Sequence, residues 1–215
     1  MSEIKHILPV AGDCSLIREF IEGTLGNGAR DFYACMKVVM SALREDRVFP
    51  RVMVFSGPAG SGKTFLQEII TKRLGGRSAD ASAYLLGHTQ FNAPLFEAEH
   101  LVVQDPPAIG KKNRFESFIK EMCCCVEQRC YQKHRPDSMR RAGWFLSVSV
   151  GEESDFLEWV PVHDAALADK VAVLTTRRVD GFFPEDYAEA GLFIQKLAAQ
   201  MPALVHFILK EGGGL

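Results

Sequence analysis

No apolar run in this 215-residue sequence is long enough to cross a bilayer, and no basic-then-apolar leader opens it. Neither a membrane-spanning role nor secretion is expected. Cysteine pairs at C-x-x-C spacing are also lacking. The six cysteines fall at 14, 35, 123, 124, 125 and 130, and three in a row make a poor disulfide framework. Cys130 and His134 form half of a zinc site, and no second half accompanies them. Reduced, partly buried thiols in a cytoplasmic protein are the expectation. A general positive excess is missing too: the formal net charge of -2 argues against a basic coat for nucleic acid. No internal repeat or low-complexity block is present, which excludes a solenoid.

What is present is ordinary in bulk and uneven in distribution. Hydrophobic residues make up 47% and charged ones 24%, as in soluble globular proteins. The length suits one α/β domain with a small appendage. Between Lys111 and Arg141 there are nine Lys or Arg and four Asp or Glu, a local +5 that leaves -7 on the remainder. That segment is a candidate anion-facing surface; a plain solvated face is the alternative.

The chain is organised around Gly57-Pro58-Ala59-Gly60-Ser61-Gly62-Lys63-Thr64, which fits G-x-x-x-x-G-K-[ST] throughout. Val52 to Phe55 before it read as a buried strand. Phe65, Leu66, Ile69, Ile70 and Leu74 after it recur at helical spacing until Gly75-Gly76. Strand, glycine loop and helix together make a triphosphate site, in which loop amides and the helix N-terminus receive phosphate oxygens. Lys63 is placed to reach the β- and γ-phosphates of ATP and Thr64 to put its hydroxyl on Mg²⁺, with Phe65 closing the binding stretch.

Around this centre, residues 1–48 read as a helical preface, 49–180 as the P-loop core and 181–215 as a C-terminal helical segment. Asp31 is expected to cap a helix whose apolar face is Phe32, Cys35, Met36, Val39, Met40 and Leu43. Residues 75–100 look loop-rich. Leu101 to Gln104 form an apolar strand ending in Asp105, a candidate Mg²⁺ carboxylate at the end where parallel sheets place ligands. A helix from Arg114 presents Phe115, Phe118, Ile119 and Met122 on one face. Extended residues 126–131 turn at Gln132 to Pro136, Trp144 to Val150 enter the core, and Val171 to Leu174 form a last strand. The expected class is a three-layer α/β P-loop NTPase domain with a parallel central sheet.

This order of P-loop, acidic strand end, basic hairpin, second core strand and basic residue resembles AAA+ ATPases of the superfamily 3 helicase type. The likeness is to the helicase portion of phage and mobile-element primase–helicases, over roughly residues 50 to 210. Phe91-Asn92 resembles that family's lead into the acidic strand, Glu127 to Cys130 with Lys133-His134 its channel-facing hairpin, Trp144 to Gly151 its sensor 1 strand, and Pro161 to Lys170 its trans-acting finger segment. The resemblance implies a ring, hexameric in such proteins, with ATP between subunits and single-stranded DNA in the pore. It implies DNA contact by Lys133 and His134, a finger role for Lys170 (Arg177 or Arg178 as alternatives) and an accompanying primase.

Two positions depart from the family pattern. Pro106 stands where a glutamate orients the attacking water, and Gly151 where an asparagine touches it. Neither replacement polarises water, so hydrolysis is expected to be slow unless Glu116, Glu152 or Glu153 substitutes, with Ser149 also nearby. A nucleotide-dependent assembly module is the competing expectation. A small-molecule kinase needs an arginine-rich lid, and residues 65–100 hold only Lys72, Arg73 and Arg77 as basic residues.

Overall fold

The computed structural model describes residues 7–44, 51–73, 76–106, 112–125, 127–141, 145–161, 164–165, 167, 169–184 and 186–210. Helices α1 (Ser15–Leu25) and α2 (Ala29–Arg44) lead into strand β1 (Arg51–Ser56) and helix α3 (Lys63–Arg73). Strand β2 (Ser78–Asp80), helix α4 (Ser82–Leu85) and strand β3 (His100–Gln104) follow, then α5 (Lys112–Cys124). Strands β4 (Glu127–Cys130) and β5 (Ser138–Arg141) precede β6 (Phe145–Val150) and β7 (Val171–Thr175), and α6 (Tyr187–Ala199) and α7 (Met201–Lys210) close the chain.

Five strands form a parallel sheet in the order β2-β3-β6-β1-β7. Central parallel strands are covered on both faces and so are apolar without alternation. Val-Met-Val-Phe of β1 and Phe-Leu-Ser-Val-Ser-Val of β6 are buried at every one of these positions. Met53 and Phe55 face a layer built from α1, α2, α3 and α7; Val52 and Val54 face the opposite layer, where α5 lies. The expected α5 face of Phe115, Phe118, Ile119 and Met122 is buried in that second layer. Residues of the preface, the P-loop core and the tail share the first layer, in which Phe20, Phe32, Leu66, Leu204 and Ile208 pack together.

Three expectations change. Residues 78–80, read as loop, form edge strand β2; Ser78 and Asp80 are exposed, so a strand this short carries no apolar pattern. Asp31 does not cap α2, which starts at Ala29 behind a 3₁₀ turn at Gly26–Gly28; its carboxylate lies in the first turn, at the positive end of the helix dipole. Glu189–Lys210 is apolar and long enough, at 22 residues, to cross a membrane by length and composition, which the sequence reading did not find. It consists of α6 and α7 joined at Gln200; Leu197, Met201, Leu204, Val205 and Ile208 are in the core, whereas Leu192 and Ile194 of α6 are exposed. Expectations on Pro50, Leu74, Gly75, Lys111, Val126 and Trp144 lie outside the described residues.

Between α3 and the sheet runs a polar ladder. His100, fully buried, bonds Thr71 Oγ1 through Nδ1 and Ser147 Oγ through Nε2, each at 2.7 Å. Gln67 donates to Ser147 Oγ at 3.1 Å and to the Val103 carbonyl at 3.3 Å. Helix α3 is thereby pinned to both β3 and β6. Burial drives the His100 pKa down from 6.5 to about 3. Neutral in the fold, His100 contributes its full stability above the unfolded pKa and loses it as pH falls from 6.5 towards 3. Unfolding free energy is expected to drop by about 2 kcal/mol between pH 7 and pH 5 through this residue. Denaturant titrations at both pH values test it: His100→Gln should show a shallower pH dependence, and an unchanged slope would place the proton elsewhere.

Candidate functional site

The loop from Gly57 to Gly62 leaves the carboxyl end of β1 through a space only glycine fits. A Cβ on Gly57 would lie 2.2 Å from Thr176 Oγ1 and 2.3 Å from the Thr176 carbonyl oxygen. Thr176, just beyond β7, donates its N–H to the Ser56 carbonyl at 2.7 Å and shares a 2.7 Å hydrogen bond with Ser61 Oγ. At the other end of the loop, Gly62 has φ +83°, and a Cβ there would meet Phe20 Cζ at 2.7 Å. Gly60 is also left-handed, at φ +77°. The loop is thus gripped between the end of β7 and helix α1.

Lys63 is the first residue of α3 and is largely buried. Its Nζ donates to the Gly57 carbonyl at 2.7 Å and the Pro58 carbonyl at 2.8 Å, so the ammonium lies folded over the loop. Thr64 follows with an exposed side chain, and Phe65 packs edge-on against Phe20 and Phe183. Pro58, Ala59 and Gly60 form the accessible part of the loop, whereas Ser61 is buried.

Asp105 follows β3 at the same carboxyl edge, with β6 between it and β1. It is exposed, adopts φ +38°, and donates its N–H to the Ser149 carbonyl at 2.8 Å. Asp tolerates the left-handed region better than most residues, and such conformations concentrate at functional sites. Among the described residues, the only other non-glycine with positive φ is His134. Pro106 is buried. Gly151 has no positive φ, and a Cβ there would find no atom within 4 Å, so packing does not demand a glycine. Glu152 and Glu153 are exposed beyond it, and Glu116 is half-buried on α5.

A groove of about 470 Å³ beside α3 brings Thr64 together with Glu68, Asp80 and Gln104. The sequence reading did not single out these two carboxylates. The i to i+4 spacing of Thr64 and Glu68 was visible as one helix face; Asp80 became relevant only once β2 was known. Among the described residues, no three His, Cys, Asp or Glu side chains converge on one point. No all-protein metal cage is formed by these side chains; the hydroxyl of Thr64 and the carboxylate of Asp105 are oxygen donors of the chemical kind that Mg²⁺ takes together with phosphate oxygens and water.

The basic hairpin is β4 paired antiparallel with β5, and Lys133 and His134 are exposed at its turn. Its root is held by Asn92, which is buried. Asn92 Nδ2 donates to the Arg129 carbonyl at 2.9 Å, and Oδ1 accepts from the Tyr131 N–H at 2.7 Å. Sequence reading noted Asn92 without a role. Phe91, Tyr131, Lys133, Arg135 and Arg140 line an adjoining groove of about 490 Å³, mixing aromatic and cationic groups.

The three finger candidates separate. Lys170 precedes β7, and its carbonyl accepts from Val52 N–H at 2.9 Å, at the sheet end opposite the glycine loop. Arg177 Nε donates to the Gly23 carbonyl at 2.7 Å, in the last turn of α1. Arg178 Nε donates to the Ala59 carbonyl at 2.8 Å, on the loop of its own chain.

The chain matches no family model and no curated protein. Among solved structures it is similar to the apo NrS-1 C-terminal region, with a TM-score of 0.68 and 11% identity over 98% of this chain and 49% of that one. It is also similar to JCV helicase bound to a thiazolopyridine acetamide, with a TM-score of 0.56 and 15% identity over 91% of this chain and 54% of that one. A second JCV helicase structure gives 0.53 at 15% identity, over 92% of this chain and 54% of that one. The chain spans about half the length of the solved chains it matches. Identities this low speak to the fold alone, and the fold of this chain is similar to that of these solved chains.

Proposed function

We propose that this chain is an ATP-binding motor domain that couples hydrolysis to movement along single-stranded DNA, acting in a ring of six. The observation carrying this reading is the gathering of the loop with Lys63 and Thr64, and of Asp105, at one carboxyl edge of the sheet, with the Lys133–His134 hairpin tied by Asn92 to the segment that leads into β3. Lys63 and the loop amides hold the β- and γ-phosphates, and Thr64 and Asp105 hold Mg²⁺, which neutralises charge on the phosphoryl oxygens. Hydrolysis joins a water oxygen to the γ-phosphorus and breaks its bond to the β,γ-bridging oxygen, releasing ADP and phosphate. The water's proton needs an acceptor, and Pro106 is not one; Glu68 and Asp80, which line a groove together with Thr64, join Glu116, Glu152 and Glu153 as candidates. Lys133 and His134 hold the DNA backbone without reading bases, and Phe91 and Tyr131 offer faces for unpaired bases. Lys170, on the far end of the sheet, supplies the positive charge to the neighbouring subunit's γ-phosphate.

A second reading, an assembly module in which ATP holds subunits together and is hydrolysed little, is favoured by Pro106 and Gly151. ATP turnover with and without single-stranded DNA separates the two: DNA-stimulated release of phosphate supports the motor, and tight ATP binding without turnover supports the module.

Lys63→Ala should abolish ATP binding or DNA-stimulated turnover, measured by calorimetry and phosphate release; full retention of both would remove the loop from the argument. Lys133→Ala should weaken single-strand binding equally on all sequences and reduce the salt dependence by about one phosphate contact, with ATP affinity unchanged. Fluorescence anisotropy across a salt series reads this, and identical slopes would sink the hairpin assignment. Gly151→Asn, for which there is room, should raise turnover about tenfold or more if the missing water contact limits the reaction. No gain would place the limit elsewhere.

A further inference from the structure

The three residues after β7 each take hold of something near the glycine loop. Thr176 bonds Ser56 and Ser61, Arg177 bonds the end of α1 through its backbone N–H and its side chain, and Arg178 bonds Ala59. The first two contacts fix the backbone at the third. Arg178 Nε is 2.8 Å from the Ala59 carbonyl and would be 3.7 Å from a Cβ on Gly60, so its guanidinium lies against the loop's accessible part. The side chain is exposed, and no described carboxylate pairs with it. A guanidinium has five N–H donors in a planar fork. Here one is spent on the loop, which leaves both terminal amino groups for an anion.

We propose that Arg178 is a phosphate contact for the nucleotide bound by its own subunit, not a finger for a neighbour's. This rests on the nucleotide reading of residues 57 to 64. A residue reaching a neighbour must leave its own loop, as Lys170 does at the opposite end of the sheet; Arg178 is tethered to that loop by its own Nε. The ligand it suits is a polyphosphate, whose oxygens take a guanidinium fork two at a time, with charge delivered on a rigid mount. Arg178 would then join Lys63 as a second cation on the same phosphate chain, the two held by adjacent carbonyls of the loop.

Binding of Mg·ATP to the full chain tests this, with calorimetry repeated over about two orders of magnitude in protein concentration. Arg178→Ala should weaken ATP binding about tenfold or more at every concentration, and Arg178→Lys should recover part of the loss. Arg178→Gln is the decisive variant, because its amide can still donate to the Ala59 carbonyl but carries no charge; it should behave like Arg178→Ala. Wild-type affinity in Arg178→Gln would reduce the contact to loop scaffolding and overturn the proposal. So would a loss that appears only at concentrations where subunits associate, since that marks action between subunits. If Lys63→Ala also binds ATP normally, the nucleotide reading itself has failed; if Lys63→Ala loses binding and Arg178→Gln does not, only this inference has.

Discussion

The structure depends on a close approach of backbone to backbone: Gly57 passes so near Thr176 that no side chain fits between them. From that contact the rest follows. Thr176 can bond Ser56 and Ser61 only because the loop comes this close, and those bonds hold the end of β7 on β1. Phe20 presses on the loop from the other side at Gly62, inside a cluster with Phe65, Phe182 and Phe183. In the function proposed, the loop receives phosphate on amides already in place, so the stiffness of its walls is part of that chemistry. Here the walls come from regions far apart in sequence.

The same logic applies to the joints between elements. Gln67 and Thr71 on α3 reach across a buried polar ladder to β3 and β6, so the helix that starts at Lys63 and the strand that ends before Asp105 keep a fixed spacing. The bonds that Ser147 makes with Gln67 and His100 are made away from water, where a missing member leaves a costly unpaired group. Asn92 does for the hairpin what the ladder does for α3. Its amide replaces two rungs of backbone pairing and ties β4 to the segment that runs into β3.

Much of this was legible from the residues. Strands β1, β3 and β6 are largely apolar runs because inner parallel strands are covered on both faces, edge strand β7 is apolar although only its Leu174 is buried, and Gly-x-x-x-x-Gly-Lys-Thr states its own backbone geometry. The apolar stripe of α5 could be read residue by residue. What stayed hidden depends on tertiary contact. Edge strand β2 has three residues, too few for a period. Arg177 and Arg178 look alike in sequence, yet one caps a helix and the other sits on the glycine loop. Gln67 and Asn92 look like surface polar residues until their partners arrive from elsewhere in the chain.

The contact between Phe20 and Gly62 has a bearing on where this unit can be cut. A fragment trimmed to begin at β1 would keep the whole glycine motif and lose the aromatic ring behind its last turn, together with α1 and α2 from the first core layer. Removing a buried phenylalanine side chain alone commonly costs about 3–5 kcal/mol, a large share of a domain's stability. The minimal folding unit therefore starts upstream of β1, and the opening helices belong to the glycine loop as its back wall.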